Sequence, residues 1–184
     1  MTQLRLLCRI GTERYALETT NILEIVHRVE LSQGQGFPQT VTGQFNYHGQ
    51  IVPVMDLSKL LCDRPSRPAL GTRIILMERS DSDGYRQILG LLVENVTETL
   101  EHNQFEYASK GQYAACLRQA EQNDRRLAYT RETLLYQNEI VQCINSESLW
   151  ASLNSDITSA ISPTPESSTA SAPPTRLNTS TTVG

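Results

Sequence analysis

The sequence predicts an all-β protein built from two related β-subdomains, with short helices and a polar tail. Three observations predict it. Apolar residues recur at every second position, the period of a half-buried strand, first at Leu4, Leu6, Cys8 and Ile10. Pairs of such stretches flank short turns at Gly11-Thr12 and His48-Gly49, as the strands of a hairpin do. One strand–helix unit occurs twice, because the stretch from Gln50 to Leu61 lines up with the stretch from Glu139 to Trp150.

In chain order, the first strand turns at Gly11-Thr12 and returns from Arg14 to Leu17, with Tyr15 and Leu17 on one face. Thr20 or Asn21 suits the cap of a short helical turn carrying Ile22, Ile25 and Val26. Val29 to Pro38 holds Gly34, Gly36 and Pro38 and reads as a loop. Gly43 to Leu57 follows as a second hairpin. Phe45 and Tyr47 lie on its first strand, His48-Gly49 forms the turn, and Ile51, Val52 and Val54 lie on the return. Glycine accepts the positive φ that such turns need. Pro53 has no N–H for a ladder, so one side of its strand is left unpaired there. Asp56 is placed to cap a short helix over Leu57–Leu61.

Cys62 to Gly71 contains Pro65 and Pro68 and reads as a linker, a place where two sub-barrels would separate. Thr72 to Met77 is a strand, Ser80 to Gly84 a polar turn, and Gln87 to Val93 a strongly apolar strand. Gly90 inside it marks a bulge or a close backbone approach. The strand pattern continues from Asn95 to Leu100, and His102 to Gln112 is polar and irregular. Tyr113 to Leu117 reads as a strand and Glu121 to Arg125 as a charged turn. Leu127 to Leu135 and Glu139 to Ile144 form a hairpin turning near Gln137-Asn138. A helix over Ser146–Leu153 then carries Leu149, Trp150 and Leu153. The domain organisation is thus residues 1–153 folded and residues 154–184 a tail rich in Ser, Thr and Pro, too poor in apolar surface to offset its ordering entropy.

Composition narrows the function classes. The net charge of -4 disfavours nucleic acid and anionic membranes as partners. No apolar run approaches the roughly 18 residues that span a bilayer, and the first residues lack a signal-peptide pattern, so a cytoplasmic protein without membrane insertion is expected. Cys8, Cys62, Cys116 and Cys143 are widely spaced, which argues against zinc and a C-x-x-C redox motif. Cys8 and Cys143 read as small buried hydrophobes.

No catalytic constellation is legible: the sequence holds no P-loop, G-x-G-x-x-G, H-E-x-x-H or G-x-S-x-G. No cofactor and no metal are expected. A small all-β enzyme using His48 and Asp56, or a regulatory module that binds a small molecule, stays open as an alternative. Glu24 sits among Ile22, Leu23, Ile25 and Val26, so it either points to water or needs an inward partner, for which His48 is the candidate.

These stretches together resemble the CheW family of chemotaxis coupling proteins. The resemblance rests on Ile22-Leu-Glu24-Ile25, on the Gly43, Asn46, Gly49, Pro53-Val54, Asp56-Leu57 spacing, and on Gly90-Leu-Leu-Val93. It runs over roughly residues 4–152 and also touches the variants that serve phototaxis and pilus-based motility. It implies two SH3-like five-stranded β-barrels with a hydrophobic groove between them. It also implies a non-enzymatic adaptor that links the cytoplasmic tip of methyl-accepting receptors to the regulatory domain of a CheA-type histidine kinase. By the same resemblance, Ile22, Glu24, Ile25, Asn46, His48, Val54 and Asp56 are candidate partner-binding residues, while Gly43, Gly49, Pro53, Leu57 and Gly90 carry the structural motif. The family usually has Arg where this chain has His48, pairing with the Glu, and Leu where this chain has Tyr47.

Overall fold

The computed structural model describes residues 3–34, 37–80, 83–109, 111 and 124–160, with side chains as far as 154. The strand expected from Tyr113 to Leu117 and the tail beyond Ala160 lie outside those residues.

The first sheet takes β1 (Leu4–Ile10), β2 (Glu13–Glu18), β8 (Val96–Glu101), β9 (Glu106–Tyr107), β10 (Thr130–Tyr136) and β11 (Glu139–Ile144), in the order β8-β1-β2-β11-β10-β9. The second takes β3 (Ile22–His27), β4 (Val41–Tyr47), β5 (Gln50–Asp56), β6 (Arg73–Ser80) and β7 (Arg86–Val93), in the order β3-β6-β7-β5-β4. Among the described residues, helices α1 (Leu57–Cys62), α2 (Asp124–Tyr129) and α3 (Ser146–Ala160) accompany them. Among the described residues the first sheet thus has six strands rather than five, the sixth being the two-residue β9.

Apart from β9, the neighbour orders of the two sheets match strand for strand. A hairpin (β6-β7, or β1-β2) lies between an antiparallel edge strand (β3, or β8) and a strand paired in parallel (β5, or β11). Equivalent registers hold equivalent residues: Val54 faces Gly90, and Cys143 faces Ala16. The repeat legible between Gln50–Leu61 and Glu139–Trp150 is therefore one part of a larger one. Each half of the chain supplies a hairpin to the sheet that the other half completes. The linker after Cys62 consequently does not separate the subdomains, because β5 and β6 on either side of it belong to one sheet. The chain changes sheets at two short crossings instead, through a 3-10 turn at Thr19–Asn21 and through Glu94-Asn95, where Asn95 has φ 41°.

Four other local expectations change. Ile22 to Val26 is strand, not helix, since only Thr19–Asn21 coils. Asn95 does not continue the preceding strand, because β7 and β8 lie in different sheets. Leu127 to Tyr129 is the end of α2, and β10 starts at Thr130. Helix α3 begins as expected but runs to Ala160 instead of stopping at Leu153.

Three apolar cores hold this together. One fills the first barrel around Leu7, Ala16, Phe105, Leu134 and Val141. One fills the second around Val52, Val54, Ile74, Leu76 and Ile88. The third, and largest, lies between the sheets: Leu6, Cys8, Ile10, Tyr15 and Leu17 meet Met55, Ile75, Met77, Leu89 and Leu91, closed by α1 and by Leu149, Trp150 and Leu153 of α3. Both faces of β1 are therefore buried, which is why its period-two reading misplaces its ends. Leu4 is exposed, whereas Arg5 is buried and donates to His102 Nδ1 at 3.1 Å, to Glu132 at 2.8 Å and to Cys143 Sγ at 3.1 Å. Cys8 and Cys143 are buried as expected, and burial pushes both thiols up to about 12.

Candidate functional site

The β4–β5 hairpin has two ends of opposite character. At its turn, His48 (φ 50°) and Gly49 (φ 87°) both adopt the left-handed conformation, the pairing that a two-residue turn requires. Asn46 braces this turn by accepting the Gly49 N–H at 2.7 Å. Asn46, His48 and Gly49 are exposed. The His48 ring stands edge-on to the Tyr47 ring at 4.4 Å.

Tyr47, not His48, is the partner of Glu24. Its hydroxyl donates to Glu24 Oε2 across the mouth of the second barrel, tying edge strand β4 to edge strand β3. That hydrogen bond holds the phenol in its protonated form and raises its pKa. Glu24 makes no ion pair with His48 and is exposed, as is Ile25 beside it. Below them, the chain after β3 closes the barrel with paired backbone bonds between Ser32 and Gln44, both 2.9 Å. Gly43 lies buried beside Leu31 at that closure.

At the other end of the hairpin the side chains serve the fold. Asp56 caps α1 by accepting Ser58 N–H at 2.9 Å and Lys59 N–H at 3.2 Å. It also accepts the Ser66 N–H at 2.7 Å and the Ser66 hydroxyl at 2.6 Å. Val54, Asp56 and Leu57 are all buried, so none of them faces a partner. Pro53 stands one residue ahead of the parallel β5–β7 ladder, which begins at Val54. Gly90 meets the close approach expected of it: a Cβ there would stand 2.9 Å from Val54 Cγ2 and 3.1 Å from Ile74 Cγ2. Ile22 is half-buried against the inter-sheet core.

The sequence-derived candidates thus divide. Glu24, Ile25, Asn46 and His48 share an exposed region at the mouth of the second barrel, whereas Val54 and Asp56 do not. His48 lies in the turn ahead of β5 and Asp56 at the far end of that seven-residue strand, roughly 20 Å along it, so they form no joint catalytic site. Among the described residues no group of three or more His, Cys, Asp or Glu is placed to hold a metal, and no helix is long and apolar enough to cross a membrane.

Sequence reasoning missed the hub at Glu94. This buried carboxylate accepts both nitrogens of Arg64, at 2.6 and 3.1 Å, and the Arg67 N–H at 2.7 Å. The guanidinium, opposed by burial and helped by that N–H, holds its pKa down at about 2. Its partners lie some 30 positions earlier in the chain, so no local pattern announces it. A cleft of about 640 Å³ opens between the loop ahead of β4, α1 and α2, with the Asp63–Arg125 ion pair joining its helices at 2.5 Å. Of the candidate binding and motif residues drawn from the sequence, Gly43 alone is among the described residues that border it.

The profile of the CheW-like domain matches residues 5–149. The chain belongs to the CheW-like family. It is 30% identical over 95 residues to the chemotaxis protein CheW of Helicobacter pylori, a match that takes in 52% of this chain and 54% of that protein. The chain therefore spans about half the length of the curated relative it matches. Among solved structures it resembles the scaffolding protein TtCheW from Thermoanaerobacter tengcongensis, with a TM-score of 0.60 and 20% identity, over 79% of this chain and 86% of that one. That likeness supports the two-subdomain fold.

Proposed function

We propose that this CheW-like chain is a non-enzymatic adaptor in chemotactic signalling that couples methyl-accepting receptors to a CheA-type histidine kinase. The observation that carries this reading is the family match over residues 5–149, across a surface that offers contacts rather than chemistry. The exposed end of the β4–β5 hairpin supports it. Glu24, Ile25 and His48 stand open to a partner, while Tyr47 and Asn46 brace them, so a docking helix finds the face already ordered. We assign that end to the receptor tip. The same reading places the protein in the cytoplasm at receptor arrays, with a flagellar, pilus-driven or phototactic output set by its kinase and receptor. The test is reconstitution of the full chain with the receptor tip and the kinase from the same source. The adaptor should make kinase autophosphorylation depend on receptor, and binding of neither partner at tens of micromolar overturns the proposal.

A further inference from the structure

The chain folds as two halves, joined by the linker from Asp63 to Thr72. The first half is β1–β5 with α1, and the second is β6–β11 with α2 and α3. Within the first half, β1 pairs with β2 and β4 with β5. Within the second, β6 pairs with β7, and β10 with β11 and β9. The ladders that complete the two sheets all run between the halves: β1–β8, β2–β11, β3–β6 and β5–β7. The inter-sheet core is shared in the same way. Leu6, Tyr15 and Met55 of one half meet Ile75, Leu89 and Trp150 of the other. Neither half can therefore complete a barrel from its own strands.

The linker's own contacts divide at one short turn. Ahead of the turn it is fastened to the first half. The Asp63 N–H bonds the Lys59 carbonyl of α1 at 3.1 Å, and Ser66 bonds Asp56 through its N–H and its hydroxyl. After the turn it is fastened to the second half. The Gly71 carbonyl accepts the Val96 N–H at 3.1 Å, and a Cβ on Gly71 would stand 2.7 Å from Asn95 Oδ1. Glu94 of the second half pins the joint from across, taking the Arg64 guanidinium, the Arg67 N–H and the Gly11 N–H. Between these anchors Pro68, Ala69 and Leu70 are exposed, Leu70 at 95%. The chain reverses there through the Thr72 N–H on the Ala69 carbonyl at 3.0 Å and the Thr72 hydroxyl on the Arg67 carbonyl at 2.7 Å. Arg73 also reaches the Leu70 carbonyl. Opening the turn gives up these three bonds and no ladder. Every ladder and core contact between the halves, and the Glu94 joint, can then form equally well with the matching half of a second chain.

We propose that two copies of this chain exchange halves about Pro68–Leu70. Each pair of barrels is then built from the first half of one chain and the second half of the other, the low-cost route to a dimer that an exchangeable element provides. This exchange does not depend on the adaptor reading. For an adaptor its consequence is two copies of the Glu24–Tyr47 mouth on one particle. In the parent the closed turn holds the halves together at an effective concentration on the order of a millimolar. The exchanged dimer therefore forms where the chain is concentrated or the turn is cut short. The test is the otherwise full chain lacking Pro68–Leu70, which leaves fewer residues between Arg67 and Thr72 than a β-turn needs. Refolded from urea at micromolar concentration, it should show twice the parent's mass by light scattering, with the parent's circular dichroism. The dimer should persist for hours after dilution, because return requires the halves to part. A shortened chain that is a folded monomer overturns the proposal. So does a dimer that falls apart within minutes of dilution, which would be a surface contact. Charge reversal decides the matter if the shortened chain fails to fold. R64E and E94R in separate full chains each set like charges at the Glu94 joint. Refolded together at high concentration they should give a one-to-one heterodimer, with one native and one reversed pair. It should melt several degrees above either variant alone. A mixture that melts as its two components and yields no heterodimer overturns the exchange.

Discussion

Asp56 and His48 stand at the two ends of one hairpin, eight positions apart, and have nothing in common physically. Asp56 is buried and takes hydrogen bonds from Ser58, Lys59 and Ser66. His48 is exposed, and its left-handed backbone is set by the turn. Both belong to the same recognisable motif. The difference teaches that such a motif mixes residues that carry the fold with residues that meet a partner, and that only burial and hydrogen bonding separate them. Substitutions at the buried end should therefore act on stability and those at the exposed end on binding.

The largest effect is expected at Asp56. Asp56→Ala strips the cap from α1 and leaves buried donors from Ser66 and Ser58 unsatisfied. The loss should be about 3–5 kcal/mol, because each stranded buried group costs on the order of 1–3 kcal/mol. Urea denaturation is the measurement. A loss under 1 kcal/mol, the figure typical of an exposed cap alone, would place Asp56 with His48 rather than apart from it.

Glu94 extends the same contrast to pH. Its folded pKa, held down at about 2 by Arg64, lies below that of an unfolded Glu, near 4.3. The stabilisation it supplies is therefore fully present above pH 5 and is lost as pH falls through about 4 towards 2. On the order of 3 kcal/mol should disappear over that window in the parent. In Glu94→Gln the window should flatten while the other carboxylates still titrate. The two stability curves, measured from pH 7 to pH 2, should converge in acid. Curves that stay parallel would show that the Arg64 pair does not hold in solution.

How much of this was legible in the sequence follows from how far apart the interacting residues lie. The β4–β5 hairpin, the Asp56 cap and the close approach at Gly90 were readable because turn, cap and strand patterns are local. The Glu94 hub was not, since its Arg64 and Arg67 partners reach it through the fold. The exchange of hairpins between the sheets was not either, because each hairpin looks the same in sequence whichever sheet it joins. Arg5 illustrates the general difficulty. Alternation marks it as solvent-facing, but β1 has a core on each side, and the guanidinium is buried against Glu132, His102 and Cys143. At the candidate site, Glu24 is bonded by Tyr47, one residue away from the His48 partner expected of it. The departure at Tyr47 was itself the signal, since a phenol can donate where leucine cannot.

A smaller change is expected at Gly90, where the motif is buried but carries no polar network. Gly90→Ala places a Cβ 2.9 Å from Val54 and 3.1 Å from Ile74, both packed in the second barrel. Overpacking of that kind costs about 1–3 kcal/mol. The companion variant Gly90→Ala with Val54→Ala should recover part of the loss if the clash is with Val54. Thermal melts of the single and double variants check it, and a double variant no better than the sum of its parts would locate the strain elsewhere.

The smallest effect on stability, and the most informative one at the exposed end, concerns Tyr47 and Glu24. The phenol donates to the carboxylate, so the protonated phenol is the form that the fold favours and its pKa is raised. The contribution is present below the unfolded tyrosine pKa and fades as pH rises through the folded value. Because the pair is exposed, Tyr47→Phe should leave the melting temperature within error. Its consequence should be seen in binding instead: Glu24 loses the group that orients it, and affinity for the receptor tip should fall while affinity for the kinase does not. An ultraviolet titration isolates the contact, because Glu24→Gln removes the acceptor's charge and should move one tyrosine's absorbance change to lower pH. A tyrosine titration identical in parent and Glu24→Gln would mean that the hydroxyl is not bonded to Glu24, and the closure of the second barrel would then rest on the bonds between the Ser32–Gln33 segment and β4 rather than on that pair.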